Sequence, residues 1–168
     1  MAGIDDADQD VRVPVPRIPS EIETDRLVLR RSRADDAAVY REMWTERDPR
    51  VPPQRRIGSD GRPTVEEMAA RIRLDWDGKR TDFLTIVRKY EGDVIGNCGL
   101  LYGRRGSPEE ADLAYELLRR AQGAGYATEA ARAVTEWAGG VGYRRLWAGR
   151  RTRMEPRVTQ RPAQAVLP

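Results

Sequence analysis

Arg120-Ala121-Gln122-Gly123-Ala124-Gly125-Tyr126-Ala127-Thr128-Glu129-Ala130 is the stretch that decides how this chain is read. Ahead of it, Leu113-Ala114-Tyr115-Glu116-Leu117-Leu118 has the composition of a strand. After it, Ala127, Ala130, Ala131, Val134, Trp137 and Ala138 recur at i, i+3, i+4 and i+7, the buried stripe of a helix. Gly123 and Gly125 remove side chains where the backbone must come close to something. The first amides of a helix have no partner within it, and the helix dipole places partial positive charge there. Strand, glycine turn and helix start together predict a site for an anion, most naturally a phosphate or diphosphate.

Three phosphate-binding patterns compete for this turn. A P-loop requires Gly-Lys-Ser/Thr after the second glycine, and Gly125 is followed by Tyr126. A dinucleotide fold requires a third small residue in Gly-x-Gly-x-x-Gly and an acid about 20 residues on; the third position is Thr128, and no such acid follows in a second βαβ unit. The third pattern, Arg/Gln-x-x-Gly-x-Gly/Ala, is met residue for residue by Arg120 to Gly125, with Tyr126-Ala127-Thr128-Glu129-Ala130 continuing it. On these residues the chain resembles the GNAT superfamily of acyl-CoA N-acyltransferases, in particular the branch of ribosomal-protein alanine acetyltransferases. The phrase Thr24-Asp25-Arg26-Leu27-Val28-Leu29-Arg30 also resembles the way that branch begins its first strand. The resemblance covers residues 23–148. It implies that Arg120, Gln122, Gly123, Ala124, Gly125, Tyr126 and Ala127 hold the diphosphate of acetyl-CoA.

The 168 residues suggest one domain with a single core, preceded by a leader over 1–22 and followed by a basic tail over 149–168. Apolar residues make up 39% and charged residues 34%, and no apolar run approaches the ~20 residues of a membrane span. The single cysteine, Cys98, excludes an intramolecular disulfide and makes the cytoplasm the expected compartment. There is no histidine, which removes histidine bases, histidine triads and histidine zinc sites, and no metal is expected. Seven arginines and one acid lie between Arg144 and the C-terminus. Without a nucleic-acid motif, and with Trp147 the only aromatic there, nucleic acid is not the expected partner. The chain is expected to act as a monomer or homodimer.

Four aspartates and then Pro14, Pro16 and Pro19 mark an extended leader. Residues 23–31 predict a strand, Ala34–Trp44 a helix, and 47–63, with four prolines and five arginines, a long loop. The resemblance gives that loop a share in shaping the acceptor site. Thr64-Val65-Glu66-Glu67 is a capping box opening a second helix that ends near Trp76. Residues 82–88 and 94–102 predict a hairpin about Glu91-Gly92-Asp93, then 111–118 and 141–148 two more strands about the helix. The order β-α-α-β-β-β-α-β predicts an α/β (α+β) fold, a GNAT-like mixed sheet with helices on both faces.

The resemblance implies a further helix and a hairpin after Ala148, and neither is legible. Residues 149–168 lack periodicity and end in prolines. A reading frame slipping near Gly149 would account for this. With freely chosen codons, the shifted frame from Arg153 can spell Asn-x-x-Ser-x-x-Val-x-x-Lys-Leu-Phe, close to the missing helix. Sequencing the DNA across codons 146–156 tests this.

The reaction implied is acetyl transfer from acetyl-CoA to a primary amine, either a protein N-terminus or a small molecule, by direct attack. Backbone at Tyr115, Glu116 and Leu117 is implied to pair with the pantetheine arm, and a nearby amide to serve the oxyanion. The proton acceptor is expected among Glu110, Asp112 and Glu116, with Glu109 behind them and Glu110 and Asp112 favoured. Relatives carry a tyrosine acid in the helix that is not legible here. Cys98 has no evident activator in the sequence and reads as a core thiol rather than an acyl carrier. Two other functions stay open: a CoA-binding remnant without turnover, and a basic binding module without enzymatic activity.

Overall fold

Alternation of apolar residues builds the sheet. Leu27 and Leu29 of β2 (Leu27–Arg31) and Leu84 and Ile86 of β3 (Thr81–Arg88) are fully buried, each worth about 1.5–3 kcal/mol of burial. The computed structural model describes residues 16–75, 81–102, 110–148 and 163–166. Its other elements are β1 (Glu21–Glu23), α1 (Ala37–Thr45), α2 (Val65–Asp75), β4 (Val94–Leu101), β5 (Glu110–Leu117), α3 (Tyr126–Gly140), β6 (Arg145–Ala148) and β7 (Ala163–Val166). The strands form one sheet in sequence order. Every neighbouring pair is antiparallel except β5–β6, which is parallel and bridged by α3. This is the expected mixed sheet.

The helices divide between the two faces. Ala130, Val134 and Ala138 of α3 pack into one core with Leu27, Leu29, Leu84, Ile86, Cys98 and Leu100. Ala37 of α1 and Met68 and Ile72 of α2 form a second cluster with Tyr40 and Trp44. Thr85 alternates with Leu84 and Ile86 and meets the Tyr40 hydroxyl at 3.0 Å, so α1 and α2 cover the opposite face. The capping box forms: Thr64 N donates to Glu67 Oε2 at 2.9 Å, and Glu67 N to Thr64 Oγ1 at 3.3 Å. No described helix is long and apolar enough to cross a membrane.

Several boundaries differ from the sequence reading. The strand expected over 23–31 is β2 from Leu27, and the end of the expected leader is ordered: Ile18 is buried in the core and Glu21–Glu23 form β1, joined to β2 by a turn at Thr24–Arg26. Thr24 makes the break: its amide donates to Leu27 O at 2.9 Å and its hydroxyl accepts from Leu27 N at 3.0 Å. The strand expected from Val141 starts at Arg145, because α3 runs to Gly140 and Gly142 turns the chain with φ 99°. The first helix opens with a 3-10 turn at Ala34–Asp36 before α1. The tail read as irregular supplies β7, which pairs with β6 from Arg145↔Val166 to Ala148↔Ala163. The expectations for residues 1–15, for the end of the second helix at Trp76, for Glu109 and for 149–162, including the frame slip, lie outside the described residues.

Candidate active site

The glycine turn has the conformation an anion site needs. Gly123 has φ 82° and Gly125, the residue before α3, has φ 84°. Nothing lies within 4 Å of where a Gly123 side chain would start, so left-handed backbone rather than crowding selects the glycine. Among the described residues, the amides of Gly123, Ala124, Gly125, Tyr126, Ala127 and Thr128 have no hydrogen-bond partner; the first to be taken is Glu129 N, by Gly125 O at 3.1 Å. Such a run of free N–H groups at a helix start is an anion nest. Gln122 fixes the approach to it, donating Nε2 to Leu117 O at 2.9 Å.

Beside the turn lies a cleft of about 400 Å³. Met43, Glu46 and Arg47 line it from the end of α1, Tyr115, Glu116 and Leu117 from the end of β5, and Arg119, Gln122 and Ala127 from the turn and α3. Among the described residues the β5–β6 ladder runs from Glu110↔Arg145 to Leu113↔Ala148, while β5 continues to Leu117. The last residues of β5, Tyr115, Glu116 and Leu117, lie past the last described β5–β6 pair, and all three line the cleft. Tyr115 is 52% exposed.

The three candidate carboxylates do not gather at one point. Glu116 lies in the cleft, where Arg47 grips it through two nitrogens, Nε to Oε1 at 2.7 Å and Nη2 to Oε2. Arg47 also lies 4.6 Å over the Trp44 ring and donates Nη1 to Arg55 O at 2.6 Å. One guanidinium thus joins α1, the 47–63 loop and β5. Asp112 and Glu110 are four and six residues earlier on β5, about 13 and 20 Å back along it, and do not line the cleft. Glu110 Oε2 accepts from Trp147 Nε1 at 3.1 Å and Oε1 from Arg145 Nη1 at 3.5 Å.

Arg120 binds away from the nest: its Nη1 donates to Glu42 Oε1 at 2.5 Å, tying the turn to α1. Arg119 does the same through Glu46, with N to Oε2 at 2.8 Å and Nη2 to Glu46 O at 2.6 Å. Of the residues expected at the cofactor, Tyr115, Leu117, Gln122 and Ala127 line the cleft. Gly123, Ala124, Gly125 and Tyr126 supply the nest.

Sequence reading assigned no role to Arg47, Glu46, Arg26 or Glu129. Arg47 falls in the loop given to the acceptor, and that was its only signal. Glu129 stands in the first turn of α3, where an acid suits the dipole. Burial pushes its carboxyl up, but hydrogen bonds from Thr24, Arg26 N and the Arg26 guanidinium outweigh this and hold it below the ordinary value.

No curated protein matches the sequence. Among solved structures, an acetyltransferase from Agrobacterium tumefaciens is 26% identical with TM-score 0.56, over 81% of this chain and 77% of that one. An acetyltransferase of the GNAT family from Bacillus anthracis is 17% identical with TM-score 0.59, over 76% and 72%. A ribosomal-protein-S5-alanine acetyltransferase from Vibrio fischeri is 15% identical with TM-score 0.55, over 76% and 72%. The family model for the acetyltransferase (GNAT) domain matches residues 26–153, which take in the nest, all of β5 and both helices of the opposite face. The chain belongs to the GNAT acetyltransferase family and is an enzyme of the acyl-CoA N-acyltransferase type.

Proposed function

We propose that the chain transfers an acetyl group from acetyl-CoA to a primary amine, on a protein N-terminus or a small molecule, by direct attack on the thioester. One observation carries this reading: Ala127, within the run of free amides at Gly123–Thr128, lines the same cleft as Glu116. The nest takes the diphosphate, and the Tyr115–Leu117 backbone takes the pantetheine arm. Glu116 is the cleft's own proton acceptor. An entering ammonium competes with Arg47 for it and gives one proton to the carboxylate; the freed amine attacks the thioester carbonyl, the C–S bond breaks, and the second N–H proton goes to the leaving CoA thiolate. Glu110 and Asp112 share its strand at greater distance and are the lesser choices. The name of the Vibrio fischeri neighbour, a ribosomal-protein-S5-alanine acetyltransferase, supports a protein acceptor.

Incubation with acetyl-CoA, with and without a panel of amines and N-terminal peptides, tests this by release of free thiol. Amine-dependent release supports it. Binding of CoA without release under any acceptor supports a CoA-binding remnant instead. A folded protein with no affinity for CoA refutes both.

A further inference from the structure

Glycine makes the turn's conformation accessible but does not select it, since glycine populates positive and negative φ about equally. Something outside the turn must hold it. Around Gly125 the nearest outside atom is Arg26 Nη2, 3.5 Å from where a side chain would begin. Arg26 comes from the Thr24–Arg26 turn between β1 and β2, about a hundred residues earlier in the chain. Its Nη1 donates to Ala124 O at 3.1 Å, and its guanidinium lies 4.6 Å over the Tyr126 ring. Its Nε donates to Glu129 Oε2 at 2.7 Å. Glu129 Oε1 in turn accepts from Arg26 N at 2.9 Å and from Thr24 Oγ1 at 2.6 Å.

In a trans peptide the C=O and N–H point opposite ways. Drawing Ala124 O toward Arg26 therefore aims Gly125 N–H away from it, out of the turn. Glu129 neutralises the guanidinium and anchors it to α3, so the same cation fixes the peptide before Gly125 and the ring after it. We infer that Arg26 and Glu129 are positioning residues that aim the nest's amides at the diphosphate of the donor. The inference rests on the acetyl-CoA reading above.

The test compares affinities of wild-type and R26A protein for CoA, for 3′-dephospho-CoA and for pantetheine, by calorimetry and NMR titration. R26A is expected to lose about tenfold or more for CoA and dephospho-CoA alike, and less than about twofold for pantetheine, which has no diphosphate. R26K should not rescue, because one ammonium cannot hold a carbonyl, a carboxylate and a ring face in the fork geometry of arginine. E129Q should fall between, keeping an acceptor for Thr24 and Arg26 N. If R26A does not fold, R26K and E129Q answer the same question. Unchanged CoA affinity in folded variants overturns the inference, as does an equal loss for pantetheine. A loss for CoA but not dephospho-CoA overturns it too, since Arg26 would then meet the 3′-phosphate itself. Wild-type protein that binds none of the three overturns the acetyl-CoA reading, and this inference with it.

Discussion

At the α3 end of the cleft, reached through Ala127, the unpaired groups are consecutive main-chain amides, from Gly123 to Thr128. At the α1 end they are side chains, Arg47 and Glu116, brought together across 69 residues of sequence. Short of proline, no substitution removes an amide N–H; any other residue changes only its direction. A side chain can be exchanged with little effect on the backbone around it. The donor end should therefore fail only when conformation is attacked, and the acceptor end whenever charge is altered.

The largest effect is expected from attacking conformation. Gly123→Val with Gly125→Val forces two β-branched residues to φ 82° and 84°. At about 1–3 kcal/mol of strain each, CoA affinity should fall roughly a thousandfold, read by calorimetry on protein whose circular dichroism is unchanged. Affinity kept within about tenfold would show that the nest is not the donor's anchor.

The same contrast explains what could be read from the sequence. Local pattern exposes whatever is local: Leu27 and Leu29 in alternation, the α3 stripe of Ala130, Val134 and Ala138, the Thr64–Glu67 box and the two glycines. Each is set by neighbours within a few positions. The Arg47–Glu116 pair and the Arg26–Glu129 clamp depend on how distant elements dock, and no spacing encodes them. The Thr24 break was missed because Thr24 is also a good strand residue, and only its hydroxyl bond to Leu27 makes it a turn. Glu110, Asp112 and Glu116 share one face of an alternating strand, where the sequence reading favours the first two; only the cleft at the C-terminal end of β5 singles out the last.

At the acceptor end, if the carboxylate serves proton transfer as proposed, E116Q should lower kcat about a hundredfold while leaving CoA affinity within about twofold. Equal rates for E116Q and wild type, with D112N slower, would move the base back along β5. In a double-mutant cycle, R47A and E116A should couple by about 1 kcal/mol of stability, modest for a pair that is partly open to water.

The donor end should also show a pH signature. Folded Glu129 holds its carboxyl below the ordinary value because Thr24 and Arg26 bond the charged form. A depressed folded pKa contributes stability above the unfolded value, and that stability is lost as pH falls through the folded one. E129Q should therefore flatten the Tm-against-pH curve between about pH 4.5 and the lower folded value, and leave its shape above pH 5 unchanged. An E129Q curve parallel to wild type below pH 4.5 would show that the clamp does not form in solution.

The smallest effect is expected at Cys98, directly opposite Tyr115 in the β4–β5 register yet buried in the core on the α3 face. Burial pushes its thiol up to about 12, so at neutral pH almost none of it is thiolate. An acyl-cysteine route would require the reverse, an exposed and acidic sulfur beside a base. C98A should keep kcat within about twofold and lose about 1 kcal/mol of stability from the small void. Iodoacetamide at pH 8 should label the unfolded chain and leave the folded one untouched. Fast labelling of folded protein, together with loss of transfer in C98A, would place sulfur in the reaction and displace Glu116 from the centre of the acceptor end.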